Sequence, residues 1–216
     1  MTARLTEAEL ARGVRMLVRR DSDLERIVSR FGAPPLWERP PAFGTLVQII
    51  LEQQVSLASA RAAYERLVAV AKSPTAERLF DLGERALAAA GLTRQKTAYI
   101  HALAGAVVRR EFDIDGLGSL DDDAAHAALV KLRGIGPWSA DIYLLMALGR
   151  PDVWPRHDLA LASAMREVKR LRSVPGIERQ LEISESWRPW RAVAARILWH
   201  HYLRTRRPRS GATPCR

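Results

Sequence analysis

The chain has 216 residues, enough for one large domain or two small lobes, and its 48% apolar content includes no run near the ~20 residues of a membrane span. A net charge of +10 favours a polyanionic partner; because Lys72, Lys96, Lys131 and Lys169 are the only lysines, an arginine-rich proteome offers an alternative source of that charge. One cysteine, Cys215, excludes an internal disulfide, a four-cysteine zinc site and a cysteine-ligated cluster, and the five histidines show no metal spacing.

Residues 1–10 are charged and helical with no signal-peptide core, so a soluble, cytoplasmic protein is expected, nucleoid-associated if bacterial. Helical periodicity covers residues 3–18 and 21–31, with Asp21 or Ser22 as cap. Pro34, Pro35, Pro40 and Pro41 make 32–43 an extended connector. Residues 44–71 form helix, with Leu46, Ile49, Ile50, Val55 and Leu67 as candidate core and a possible break at 53–56. Short helices follow at 75–82 and 84–90, the latter stopped by Gly91. Thr93 caps a helix to about Glu111, and another runs from about Ser119 to Leu132. Helices over 137–149, 158–171 and 189–204 complete an all-α chain, and 205–216 is a basic tail expected to be disordered.

Residues 132–140 read Leu-Arg-Gly-Ile-Gly-Pro-Trp-Ser-Ala: a helix, a turn through Gly134-Ile135-Gly136, and a second helix started by Pro137. The glycines permit positive φ and leave backbone N–H groups uncovered. Proline suits a first helical turn, where its missing donor has no partner to lose. Bare N–H groups at the positive end of a helix make an anion site, and duplex DNA offers phosphates that are gripped without reading sequence. Ser139, in the first turn of that second helix, joins Gly134, Ile135 and Gly136 as the residues expected to grip the DNA backbone. Asp158 follows Gly136 by 22 residues. Locally, an aspartate before Leu-Ala-Leu-Ala reads as an ordinary helix N-cap.

Four segments together resemble the helix-hairpin-helix DNA glycosylases, in particular the 3-methyladenine DNA glycosylase II branch. They are Leu51-Glu-Gln-Gln-Val-Ser56, Gly91-Leu-Thr-Arg-Gln-Lys96, the hairpin with Asp158-Leu-Ala-Leu161, and Trp187-Arg-Pro-Trp-Arg191 through Trp199. The resemblance implies two helical lobes around a DNA-binding cleft, one lobe over 43–150 and the other combining 1–42 with 151–204. It also implies a compact form, without the N-terminal β-rich domain some members carry.

The same resemblance assigns roles. Asp158 becomes the catalytic carboxylate, stabilising positive charge on the sugar and orienting water as the N-glycosidic bond breaks. Trp138 stands where bifunctional members place a Schiff-base lysine, so simple hydrolysis to an abasic site is implied. Trp138 and Trp199 line the base pocket, with Tyr143 a weaker candidate; core packing is the alternative for all three. Trp187 and Trp190 are assigned to structure. Gln54 takes the wedge position that fills the hole left by an extruded base, although one branch places leucine there. Arg156-His157 departs from the small or acidic residues commoner before the aspartate, and His157 faces a phosphate, Asp158 or solvent. Lys96 stabilises the fold or a carboxylate. No catalytic metal or cofactor is implied, beyond a monovalent cation on the hairpin carbonyls. A monomer acting on damaged duplex DNA follows. The competing readings are a non-catalytic hairpin DNA-binding protein and a glycosylase with lyase activity.

Overall fold

Helix starts in this chain are set largely by side-chain caps: Thr6, Asp21, Ser56, Thr75, Thr93, Asp121 and Asp158 each accept a backbone N–H from the following turn. The computed structural model describes residues 4–206. In chain order the helices are α1 (Glu7–Arg20), α2 (Ser22–Phe31), α3 (Phe43–Glu52), α4 (Leu57–Ala71), α5 (Ala76–Ala89), α6 (Arg94–Val108), α7 (Asp122–Val130), α8 (Pro137–Met146), α9 (Leu159–Val168), α10 (Ile177–Glu185) and α11 (Arg191–Arg206). A 3-10 turn, Asp115–Ser119, precedes α7. The described residues contain no strand, so the expected all-α class is the observed one.

The chain divides into two compact units. The first holds residues 38–150 and is organised around α3, which buries Thr45, Leu46, Val47, Ile49, Ile50 and Leu51 on nearly every side. Leu46, Ile49 and Ile50 are fully buried, each stabilising the unit by about 1.5–3 kcal/mol. Helix α8 is similarly enclosed from Ser139 to Leu145. Helices α4, α6 and α8 pack on α3, α5 pairs with α6, and α7 with α8 forms the hairpin. Arg39 clamps Glu52 bidentately at 3.0 and 2.8 Å. Arg150, 3% exposed, donates to the Gly118 and Leu120 carbonyls and tethers the 3-10 turn beyond the end of α8.

The second unit joins residues 4–37 to the segment after Pro151. Its central helix is α11, buried continuously from Ala192 to Trp199 and packed by α1, α2, α9 and α10. Gly13 lets α1 approach: a Cβ there would lie 2.9 Å from both Trp190 and Val193 side chains. Arg196, 1% exposed, donates through Nε to the Leu36 carbonyl and through Nη1 to that of Ala192, and burial lowers its pKa to about 10. Asp21 accepts both from Lys169 Nζ and, at 2.7 Å, from the Trp187 indole, tying α2 to the segments around α9 and α11. Burial raises the Asp21 carboxyl; the hydrogen bonds from Lys169 and Trp187 and the lysine charge outweigh it and hold it low.

The observed elements bear out some sequence boundaries and move others. The break expected at 53–56 divides residues 44–71 into two helices, with Gln54 at φ +57° and Ser56 capping α4; Val55, expected in the core, lies in that break and is 45% exposed. The two short helices expected at 75–82 and 84–90 are the two segments of α5, separated by the non-helical backbone of Gly83 (φ +69°). Helix α9 stops at Val168, shortly before Arg170 enters the left-handed region, rather than at Leu171. Helix α10 has no counterpart in the expectation: its cap, Gly176, offers no side chain, and Leu181 points outward, which blurs the periodicity. Helix α11 includes Thr205 and Arg206, first assigned to the tail, while the rest of the proposed tail lies outside the described residues.

Candidate functional site

In the first unit the turn between α7 and α8 is built on two unlike glycines. Gly134 has φ +89°, and a Cβ there would meet the Tyr99 ring root at 2.3–2.8 Å, so neither its backbone nor its space admits a side chain. Gly136 has φ −91° and nothing within 4 Å of a built Cβ. The sequence reading gave both glycines the same freedom; the structure closes Gly134 on its own chain and leaves Gly136 open. Ile135, 4% exposed, anchors the turn inward, and Pro137 opens α8 with no side-chain cap. A helix start with no side-chain cap is a suitable place for an anion.

Ser139, expected among the phosphate-gripping residues, has a buried hydroxyl that accepts from Gln53 Nε2 at 2.9 Å. Its hydroxyl is thus turned inward onto Gln53 rather than presented at the surface. The same Gln53 nitrogen donates to the Gly134 carbonyl at 2.8 Å. The next residue, Gln54, is exposed at φ +57°, a conformation that costs a non-glycine residue about 1 kcal/mol. It is flanked by exposed apolar side chains, Val55 and Leu57.

Trp138 is half-buried at the start of α8. Tyr143, in contrast, is wholly buried, its hydroxyl makes no hydrogen bond, and burial followed by the nearby Asp115 charge raises its pKa. It therefore occupies the core of its unit, the alternative weighed against a pocket wall. Lys96 Nζ donates 2.6 Å to the Leu51 carbonyl at the end of α3, and burial lowers its pKa. The Leu132 and Gly134 carbonyls already accept from Ile135 N and Gln53; a monovalent cation at the turn would share these oxygens.

In the second unit Asp158 is 9% exposed and caps α9, Oδ1 accepting from Leu161 N at 2.8 Å. The same oxygen accepts from the Trp199 indole at 3.2 Å. Cap and aromatic residue thus fix one carboxylate in one orientation. Trp199 is 8% exposed, and Trp37 meets it edge-on with ring centroids 6.5 Å apart. Trp37 escaped the sequence reading because it sits among prolines, outside any periodic segment. His157 is exposed at φ +64°, Arg156 is half-buried, and Leu159 is 83% exposed beside the carboxylate. Trp187 and Trp190 are buried in the unit's core. Among the described residues no three His, Cys, Asp or Glu side chains gather as metal ligands.

The sequence matches the HhH-GPD superfamily of base excision DNA repair proteins over residues 47–191. It is similar to a DNA-3-methyladenine glycosylase of Bacillus subtilis, 30% identical over 172 residues, which cover 74% of this chain and 57% of that protein. A second Bacillus subtilis relative, YfjP, is 25% identical over 82% of this chain and 65% of its own. The chain therefore spans less than two thirds of either relative. Among solved structures it resembles the Schizosaccharomyces pombe 3-methyladenine DNA glycosylase Mag1 in complex with abasic DNA. That match has a TM-score of 0.76 and 26% identity, covering 87% of this chain and 95% of that one. By the extent of the family match, the chain belongs to the HhH-GPD superfamily of base excision DNA repair proteins.

Proposed function

We propose that the protein is a monofunctional DNA glycosylase that removes alkylated bases of the 3-methyladenine type from duplex DNA. The observation that carries this reading is Asp158: a carboxylate 9% exposed, locked by Leu161 N and Trp199 Nε1, and 22 residues past Gly136 in a member of a base-excision superfamily. As the bond from C1′ to the base nitrogen breaks, its electron pair leaves with the base and positive charge develops on the sugar. Asp158 stabilises that charge and orients water, which adds to C1′ and gives its proton to the Asp158 carboxylate and from there to solvent. The unobstructed Gly136 and the uncapped start of α8 hold a DNA phosphate, and Gln54 fills the gap in the duplex.

Alkylated purines such as N3-methyladenine and N7-methylguanine are cationic, so their glycosidic bonds are already weak. A cation over an indole face gains about 0.5–2 kcal/mol, the role assigned to Trp138. Trp138 offers no amine where a lyase needs its lysine, so the product is an intact strand with an abasic site. The competing reading, a non-catalytic DNA binder, draws on the cap that Asp158 makes to α9. Both uses engage the same residue, and a capping bond to Oδ1 leaves the carboxylate's charge intact for the sugar. The protein acts as a monomer on chromosomal DNA inside the cell, one molecule per lesion. The test is incubation with uniformly methylated duplex DNA and chromatography of the free bases. Release of 3-methyladenine or 7-methylguanine without strand scission is expected; no base release, or scission without added base or heat, overturns the reading.

A further inference from the structure

The segment carrying Gln54 is held from both sides within the first unit. On the α3 side, the Lys96 ammonium sits on the Leu51 carbonyl at 2.6 Å, a cation at the negative end of a helix. On the α4 side, the Ser56 hydroxyl accepts from Ser59 N at 3.2 Å. Between them, Gln53 reaches 81 residues along the chain with one amide nitrogen, giving one bond to the Gly134 carbonyl (2.8 Å) and one to Ser139 Oγ (2.9 Å). An amide is the side chain this geometry needs: its NH2 carries two donors, where a carboxylate carries none. Gly134 is backed by the Tyr99 ring, whose hydroxyl accepts from Gln95 at 2.8 Å. The turn thus receives support from α6 and from the segment after α3 at one glycine.

We propose that Gln53 is a positioning residue that joins the duplex-inserting segment to the phosphate-gripping hairpin. The proposal rests on the glycosylase reading for the roles of those two parts. Opening a stacked duplex pushes back on whatever is inserted. A left-handed, exposed Gln54 bears that load only if its neighbours resist rotation. The two bonds from Gln53 pass the load to the turn that grips the same duplex, so seating on the phosphate and insertion become one event. Without them the hairpin still binds DNA, and the inserting segment yields.

The test uses the full chain and a duplex carrying a tetrahydrofuran abasic analogue beside 2-aminopurine, whose fluorescence rises on unstacking. Gln53→Met keeps length and removes both donors. It is expected to cut the fluorescence rise at saturating protein by roughly tenfold, the loss of about two ordinary hydrogen bonds, with affinity changed less than about threefold. Ser139→Ala removes one bond, gives a smaller loss, and serves if Gln53→Met does not fold. In a Gln54→Ala background, Gln53→Met is expected to add nothing, because the part it positions is gone. An unchanged rise in Gln53→Met, independent and multiplying effects with Gln54→Ala, or affinity and melting temperature falling in step with the rise would each overturn the proposal. A rise with the unsubstituted protein but no base release from methylated DNA overturns the glycosylase reading alone. No rise at all overturns insertion and its support together.

Discussion

Replacing Gly134 by alanine tests whether the hairpin is held by close packing on α6. The added Cβ would lie 2.3 Å from Tyr99 Cγ, 2.4 Å from Cδ2 and 2.8 Å from Cβ. These atoms are the root of the ring, so the ring cannot swing clear without moving the helix that carries it. Overpacking of this kind costs about 1–3 kcal/mol. Alanine at φ +89° adds about 1 kcal/mol of backbone strain, giving about 2–4 kcal/mol together. In a Tyr99→Ala background the contacts with Cγ and Cδ2 disappear, leaving the 2.8 Å approach to Cβ and the backbone strain of about 1 kcal/mol. Urea denaturation of the four proteins in this cycle is therefore expected to yield a coupling of about 1–3 kcal/mol between the two sites. A penalty below about 0.5 kcal/mol for Gly134→Ala, or the same penalty in both backgrounds, would refute the reasoning.

Trp199→Phe removes the indole donor from Asp158 Oδ1 and leaves the Leu161 N–H. One net hydrogen bond of about 1–1.5 kcal/mol corresponds to roughly a tenfold slower single-turnover excision; an unchanged rate contradicts that role. Lys169→Met removes the cation shared by Asp21 and Asp23. Burial raises both carboxyls, but the hydrogen bonds from Lys169, joined by Trp187 at Asp21 and Arg26 at Asp23, outweigh it and leave both pKa values lowered. A lowered carboxyl contributes stability above its unfolded pKa of about 3.9, and that contribution is lost as pH falls through the folded value. Melting temperature is thus expected to fall on acidification below about pH 4. Lys169→Met is expected to weaken that dependence while removing about 1–3 kcal/mol at pH 7, and an unaltered acid slope argues against the lysine as its source.

The helical class was legible because caps and apolar periodicity are local: Asp21 and Thr93 each sit directly before the helix they start. Helix α10 was not, since it starts at a glycine without a side-chain cap and turns Leu181 outward. The hairpin was legible from its glycines and proline, yet sequence could not distinguish Gly134 from Gly136. That difference lies in Tyr99, a neighbour 35 positions earlier. Asp158 was found by spacing and family likeness, whereas its bond to Trp199 and the packing of Trp37 depend on folding. Gln53 shows the same limit most plainly, because nothing in a Gln-Gln pair names a carbonyl 81 residues away. Tyr143 was misplaced toward the pocket because residues on an enclosed helix share one composition whichever way they point.

The most direct test of the whole account is Asp158→Asn. Asparagine retains an Oδ1 that accepts from Leu161 N and Trp199 Nε1, so the α9 cap survives while the charge is lost. Release of free base from methylated duplex DNA is expected to fall on the order of 10²–10³-fold, with affinity for abasic duplex DNA changed less than about threefold. Excision at the rate of the unsubstituted protein would contradict the assignment of Asp158 and the mechanism built on it.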